Sequence, residues 1–226
     1  MSDTALSSTA ARAENRYTAG EEIANAVSHG VGVVLAISGL TVLVAFASLH
    51  GTAWEIVSAA VYGASMILMF TASTIYHAIP SLRAKRVLRV LDHSSIYLAI
   101  AGTYTPFMLS NLRGPWGWSL FGVVWALAVA GIVFKALAMG KLRILSVAFY
   151  VAMGWLVVIA ARPLLSSVAP GGVILLIAGG VAYTAGVGFY AWRRLRYSHF
   201  IWHLFVLAGS TLHFFAILEF VVLRPR

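Results

Sequence analysis

The sequence contains no cysteine, so neither a disulfide framework nor a thiolate metal site is open to it. Charge is scarce too. Only 10% of the 226 residues are charged and seven in all are acidic, whereas a soluble domain is about a quarter charged. A polar linker that would divide the chain is also missing, which points to one folded unit. What fills the space is apolar: 61% of the residues are hydrophobic and the mean hydropathy is +0.89. A soluble fold of this size cannot hide so much apolar side chain, but a lipid-solvated one need not. The net charge of +9 would suggest a nucleic-acid partner in a soluble protein. Here the basic residues sit in short segments between apolar runs, which predicts membrane topology and no nucleic acid.

Seven apolar runs are read at Ala24–Leu49, Ile56–Tyr76, Val90–Leu109, Trp116–Phe134, Ile144–Ala161, Gly171–Trp192 and Phe200–Leu218. Most have the roughly 20 residues needed to cross about 30 Å of hydrocarbon. They are continuously apolar rather than alternating, which predicts helices and not barrel strands. The expected fold is therefore all-α, an integral membrane bundle of seven transmembrane helices over residues 21–226, after a polar tail at 1–20 that has no signal-peptide pattern.

Charge orients the bundle. With the N-terminus inside, Arg12, Arg16, Arg83, Lys85, Arg86, Arg89, Lys135, Lys141, Arg143, Arg193, Arg194 and Arg196 fall on the cytoplasmic side. Only Arg113, Arg162, Arg224 and Arg226 fall outside. The positive-inside rule then places the N-terminus in the cytoplasm and the C-terminus outside, in a plasma or inner membrane. The basic loop Ile79–Leu88 reads as a topology determinant beside anionic headgroups. Gly179-Gly180 and Gly186-x-Gly188 read as close helix packing.

Polar chemistry collects at one depth. His29, Ser73, His77, Asp92, His93, His199 and His203 all lie near the inner ends of their runs. Ionisable groups within a membrane are costly unless paired, hydrated or ligated. His199-x-x-x-His203 places two imidazoles on one helical face, within reach of one ion, and Ser73-x-x-x-His77 can add a third with a hydroxyl one turn deeper. Three histidines with an open fourth position describe a catalytic zinc site, although imidazole also suits iron, nickel and copper. Asp92 is then placed to hold or deprotonate a water at the open position. His93 and His50 read as interfacial residues bonded to headgroups, and Glu55 and Glu219 as solvated outer helix ends. His213, about 15 Å along the last helix from His203, reads either as a packed, hydrogen-bonded residue or as part of a polar cavity.

The stretch Ser73-Thr-Ile-Tyr-His77-Ala-Ile-Pro80, then Leu91-Asp92-His93 and Ala101-Gly-Thr-Tyr-Thr-Pro-Phe107, resembles the bacterial haemolysin III family. That family is the prokaryotic branch of the progestin and adipoQ receptor (PAQR) proteins. The opening Glu22-x-x-Asn25-x-x-x-His29, the closing His199-x-x-x-His203 and the downstream His213-Phe214 match in order, so the resemblance spans about residues 20 to 220. It implies seven helices with a cytoplasmic N-terminus. It also implies zinc held by His77, His199 and His203, with the family's acid on Asp92 and its serine on Ser73, and kinship with membrane ceramidases. The expected function is hydrolysis of a lipid amide or ester by zinc, with Asp92 as general base and then acid, and Ser73 orienting the water or an oxyanion. Membrane lipids are the expected partners. The alternatives are a receptor-like sensor with structural zinc, a pore-forming cytolysin, or a proton or ion transporter.

Overall fold

The computed structural model describes residues 17–138, 143–192 and 194–224. Most of the polar tail 1–20 lies outside the described residues, as do Arg12, Arg16, Lys141, Arg193 and Arg226 of the charge count.

Helix α1 (Ala19–His50) starts at a capping box, in which Thr18 caps the first turn and Glu21 reaches back to the Thr18 N–H. That arrangement satisfies donors a helix start leaves bare. Gly51 ends α1, and a second capping box, Thr52 with Glu55, starts α2 (Ala53–Ala78). Pro80 follows α2, where it cannot continue the helix. Helix α3 (Leu82–Pro106) is capped by Ser81 and runs into a π-helical turn, Phe107–Asn111. Then come α4 (Pro115–Ala138), α5 (Arg143–Gly154), a 3-10 turn (Leu156–Ala160) and α6 (Ala161–Ser167). Last are α7 (Pro170–Ala191) and α8 (Ser198–Ile217), which ends in a π-helical turn, Leu218–Val222. No strand occurs among the described residues.

Among the described residues, six helical stretches are long and apolar enough to cross a membrane: Ala19–His50, Ala53–Ala78, Pro115–Leu137, Ile144–Ser167, Pro170–Ala191 and Ser198–Val222. The protein is thus a multi-pass, all-α membrane bundle. Helix α3 is the odd member. It has 25 residues, but its first half carries Arg83, Lys85, Arg86, Arg89 and Asp92.

Packing is the reverse of a soluble protein's. Along α1, Ile23, Val27, Val31, Val34 and Leu35 face outward, while Asn25, Ser28 and His29 are buried. Outward apolar side chains have lipid for solvent, and small inward residues let helices approach closely. A Cβ on Gly102 of α3 would lie 2.0 Å from Ser65 Oγ of α2, so these helices meet almost backbone to side chain. Gly179 receives the His213 ring and Gly186 receives Trp202 and Phe205. Gly188, by contrast, faces open space and has no packing role. Neighbours in sequence are mostly neighbours in space, and α8 returns to pack on α1 as well as α7. Helix α1 therefore joins α2 to α8, and α2 in turn packs on α3.

Three expectations need correction. The basic stretch Ile79–Leu88 is a loop only as far as Ser81, after which Leu82 opens α3. Lys85 is buried rather than presented to headgroups, because Glu22 and the Tyr76 carbonyl take its ammonium. The fifth run is not one continuous helix over Ile144–Ala161. Its ladder breaks after Gly154, where the Tyr104 hydroxyl donates to the carbonyls of Met153 (3.1 Å) and Gly154 (2.8 Å) and accepts from the Val157 N–H (2.9 Å). A side chain inserted into the ladder is a recognised cause of helix breaks. Glu55 is 5% exposed, not solvated. It accepts from the Thr52 N–H (2.8 Å) and from Arg224 (3.2 Å), which joins the start of α2 to the end of the chain.

Candidate metal centre

His77 occupies the last turn of α2, and His199 and His203 the first two turns of α8. His77 and His203 are 2% and 1% exposed. The His199 Nε2 atom lies 3.2 Å from Nε2 of His77 and 3.1 Å from Nε2 of His203. All three ligand atoms fall within 4.8 Å of one another. For comparison, nitrogens bound tetrahedrally to zinc at 2.0–2.1 Å stand about 3.3 Å apart.

The partners of the other ring nitrogens decide what those Nε2 atoms offer. Nδ1 of His77 lies 2.6 Å from Glu22 Oε2. A carboxylate only accepts, so this nitrogen carries the proton and Nε2 presents a lone pair. Ser28 Oγ donates to the Asn25 carbonyl (2.9 Å). Nδ1 of His203 lies 3.0 Å from that Oγ and 3.2 Å from the same carbonyl. It too is therefore the protonated nitrogen, and its Nε2 is a second lone pair. Two buried lone pairs thus face His199, whose single N–H in the neutral ring can serve only one of them. A cation at the centre serves all three, so the donor set fits a metal held by three imidazoles. Hydrogen bonding of the distal nitrogen is also how ligating histidines are held in place.

A cavity of about 160 Å³ opens from this centre between α2, α3, α5, α7 and α8. His199, His203, Asp92, Ser73, His29 and His93 line its inner end. Tyr104, Trp155, Tyr183 and His213 line the rest, together with aliphatic side chains. The fold thus gathers Ser73 and Asp92 from separate helices to the wall on which His199 and His203 stand. Asp92 is buried, with Oδ2 at 3.3 Å from His93 Nδ1, a close approach rather than an aligned hydrogen bond. His93 therefore faces the cavity and not a headgroup, because it follows Asp92 on the inward side of α3. His213 satisfies both readings made of it: it lines the cavity, and its Nε2–H donates to the Leu176 carbonyl at 3.1 Å. His50 is the last residue of α1, against Phe46.

Other residues at the centre had no role assigned from sequence. Glu22, Asn25, Ser28 and His29 share one face of α1 at spacings of three, three and one residues. The spacing in Glu22-x-x-Asn25-x-x-x-His29 was the available signal, but it does not say which helix that face meets. His29 stacks on His203 with ring centroids 3.5 Å apart, and neither of its nitrogens has a hydrogen-bond partner among the described residues. Tyr17 stacks on His199 at 5.0 Å from the polar side of the site.

The sequence pattern of proteins described as "Haemolysin-III related" matches residues 17–214. A Bacillus subtilis (strain 168) protein named "Hemolysin-3 homolog" is 46% identical over 209 residues, covering 92% of this chain and 98% of that protein. "Hemolysin-3" of Bacillus cereus is 46% identical over 202 residues, 89% of this chain and 92% of its own. The human "Monocyte to macrophage differentiation factor" is more distant, at 27% identity over 95% of this chain and 91% of its own. No solved structure matches the chain. With a family pattern that runs from the residue before the first capping box to the residue after His213, and bacterial relatives aligned over nearly their full length, the chain belongs to the haemolysin-III related family.

Proposed function

We propose that this protein is a zinc-dependent membrane hydrolase that cleaves a lipid amide or ester and thereby adjusts membrane lipid composition. The observation that carries this reading is a cluster of three imidazoles with their Nε2 atoms turned toward one another, two of them on the wall of an apolar cavity that a carboxylate and a hydroxyl also line. His77, His199 and His203 hold the ion, and the bundle crosses the membrane seven times with its N-terminus in the cytoplasm. When bound, zinc supplies Lewis-acid polarisation of a carbonyl and acidifies water. The chain's own groups supply the rest. Asp92 takes a proton from the attacking water and returns it to the leaving amine or alcohol. Ser73, one turn from His77, donates a hydrogen bond to the developing oxyanion. The apolar walls at Met69, Ile96, Ile100, Val151 and Val206 receive the acyl chain and exclude bulk water.

The test is lipid turnover by zinc-loaded protein in detergent or vesicles, with released fatty acid read by mass spectrometry. Wild type should release product from an amide- or ester-linked lipid. Asp92→Asn, still carrying zinc, should lose turnover by about 100-fold or more. Turnover unchanged in that variant removes Asp92 from the reaction.

A second reading has one observation in its favour. The three histidines come from the two ends of the helix order and are buttressed by α1, so an ion there also fastens α1, α2 and α8 to one another. A sensor with structural zinc predicts lower thermal stability on metal removal and no turnover of any lipid. The lytic activity in the names of the Bacillus relatives predicts leakage of solute from vesicles that hold the purified protein and none from empty vesicles.

A further inference from the structure

The first turn of α1 carries two adjacent carboxylates that ligate nothing, and each reaches a different helix. Glu21 Oε1 accepts the backbone N–H of Tyr197 at 3.0 Å. Tyr197 precedes α8 in a left-handed conformation (φ 56°), uncommon for a residue other than glycine. Its hydroxyl lies where only the missing side chain of Gly20 leaves room, 3.0 Å from the place a Cβ would take. The turn that sets the start of α8, and with it the register of His199 and His203, is thereby held from α1.

Glu22 reaches the opposite way. One oxygen takes the Nδ1–H of His77 at 2.6 Å and the other takes the Lys85 ammonium at 2.6 Å. Lys85 is fixed in turn by the Tyr76 carbonyl at 3.1 Å and by the Tyr76 ring, 4.8 Å from its ammonium. Both oxygens of Glu22 are therefore spoken for, by partners on α2 and α3. The His77 ring is held with Nε2 toward His199, and Lys85 balances the charge that this costs in a half-buried site.

We propose that Glu22 is the positioning residue of the metal centre: it fixes the tautomer and orientation of His77, with Lys85 as its counter-ion. This inference rests on His77, His199 and His203 holding a metal. A carboxylate behind a ligating imidazole raises ligand basicity, and its loss typically costs 10–100-fold in metal affinity.

Glu22→Gln alone strands the Lys85 cation in a buried site and can unfold the protein. The experiment therefore compares Lys85→Met with Lys85→Met/Glu22→Gln, both beside wild type. Zinc affinity is read by competition with a chromophoric chelator in detergent, and folding is checked by circular dichroism. The visible spectrum of cobalt-loaded protein gives a readout that folding alone does not move. The expected result is native helicity in both variants, zinc bound 10–100-fold more weakly in the double variant than in Lys85→Met, and a shifted cobalt band. Glu22→Asp in the Lys85→Met background should recover part of the affinity. Equal zinc affinity and identical cobalt spectra in the two variants, with wild type holding its ion, overturn the role of Glu22 and leave the metal site standing. A wild-type protein that takes up no zinc overturns both readings.

Discussion

Two carboxylates sit at opposite ends of the bundle, each in the first turn of a helix and each facing a cation. At one end, Glu55 closes a capping box with Thr52 and takes Arg224. Every partner there is a structural group of the protein, and the network ends on itself. At the other end, Glu22 takes Lys85 and also the back of an imidazole whose front faces two more imidazoles. That network is open, because the Nε2 atoms of His77 and His203 both face His199, whose single N–H in the neutral ring can serve only one of them. Closed networks fasten helix ends, whereas a buried open one needs a ligand to complete it. The same residue type in the first turn of a helix thus closes a network at one end and backs the histidine cluster at the other.

The contrast breaks first, if it breaks at all, at the histidines. Purified wild type should carry about one zinc per chain, and His199→Ala/His203→Ala none, by elemental mass spectrometry. Zinc at a hundredfold its Kd should stabilise wild type by about 2.7 kcal/mol, and the double variant should lose that gain in a thermal melt. Tyr104→Phe probes a closed network at mid-depth. It leaves the Val157 N–H without its partner at a cost of about 1–3 kcal/mol, with zinc content unchanged. Thr52→Ala removes the cap of α2, and the melting temperature should fall by the equivalent of about 1 kcal/mol while zinc affinity stays the same. A changed zinc affinity in Thr52→Ala would mean that the two ends communicate. The smallest effect is expected from Arg224→Ala, about 0.5 kcal/mol or less, because its side chain is a third exposed and surface pairs contribute little.

The membrane class was legible from composition, and the helices from continuous apolar runs, because hydrocarbon forces every backbone group into an internal hydrogen bond. The histidine trio was legible as well. An i,i+4 pair must share a helical face, and the resemblance supplied the third member. Helix ends were read less well. Helix α3 starts at Leu82 rather than Val90, since Lys85 reads as a loop cation until Glu22 is known to lie beside it. The break after Gly154 was invisible for a similar reason, as the hydroxyl that sustains it sits 50 residues away in sequence.

What the sequence determined by itself was therefore local or compositional: an all-α chain that lipid can solvate, and histidines at helical spacing. The tertiary structure decided which faces meet. It placed Glu22 behind His77, Ser28 behind His203, and Asp92 and Ser73 on one cavity wall. No periodicity within a single helix encodes those choices, because they depend on how α1, α2, α3 and α8 pack against one another.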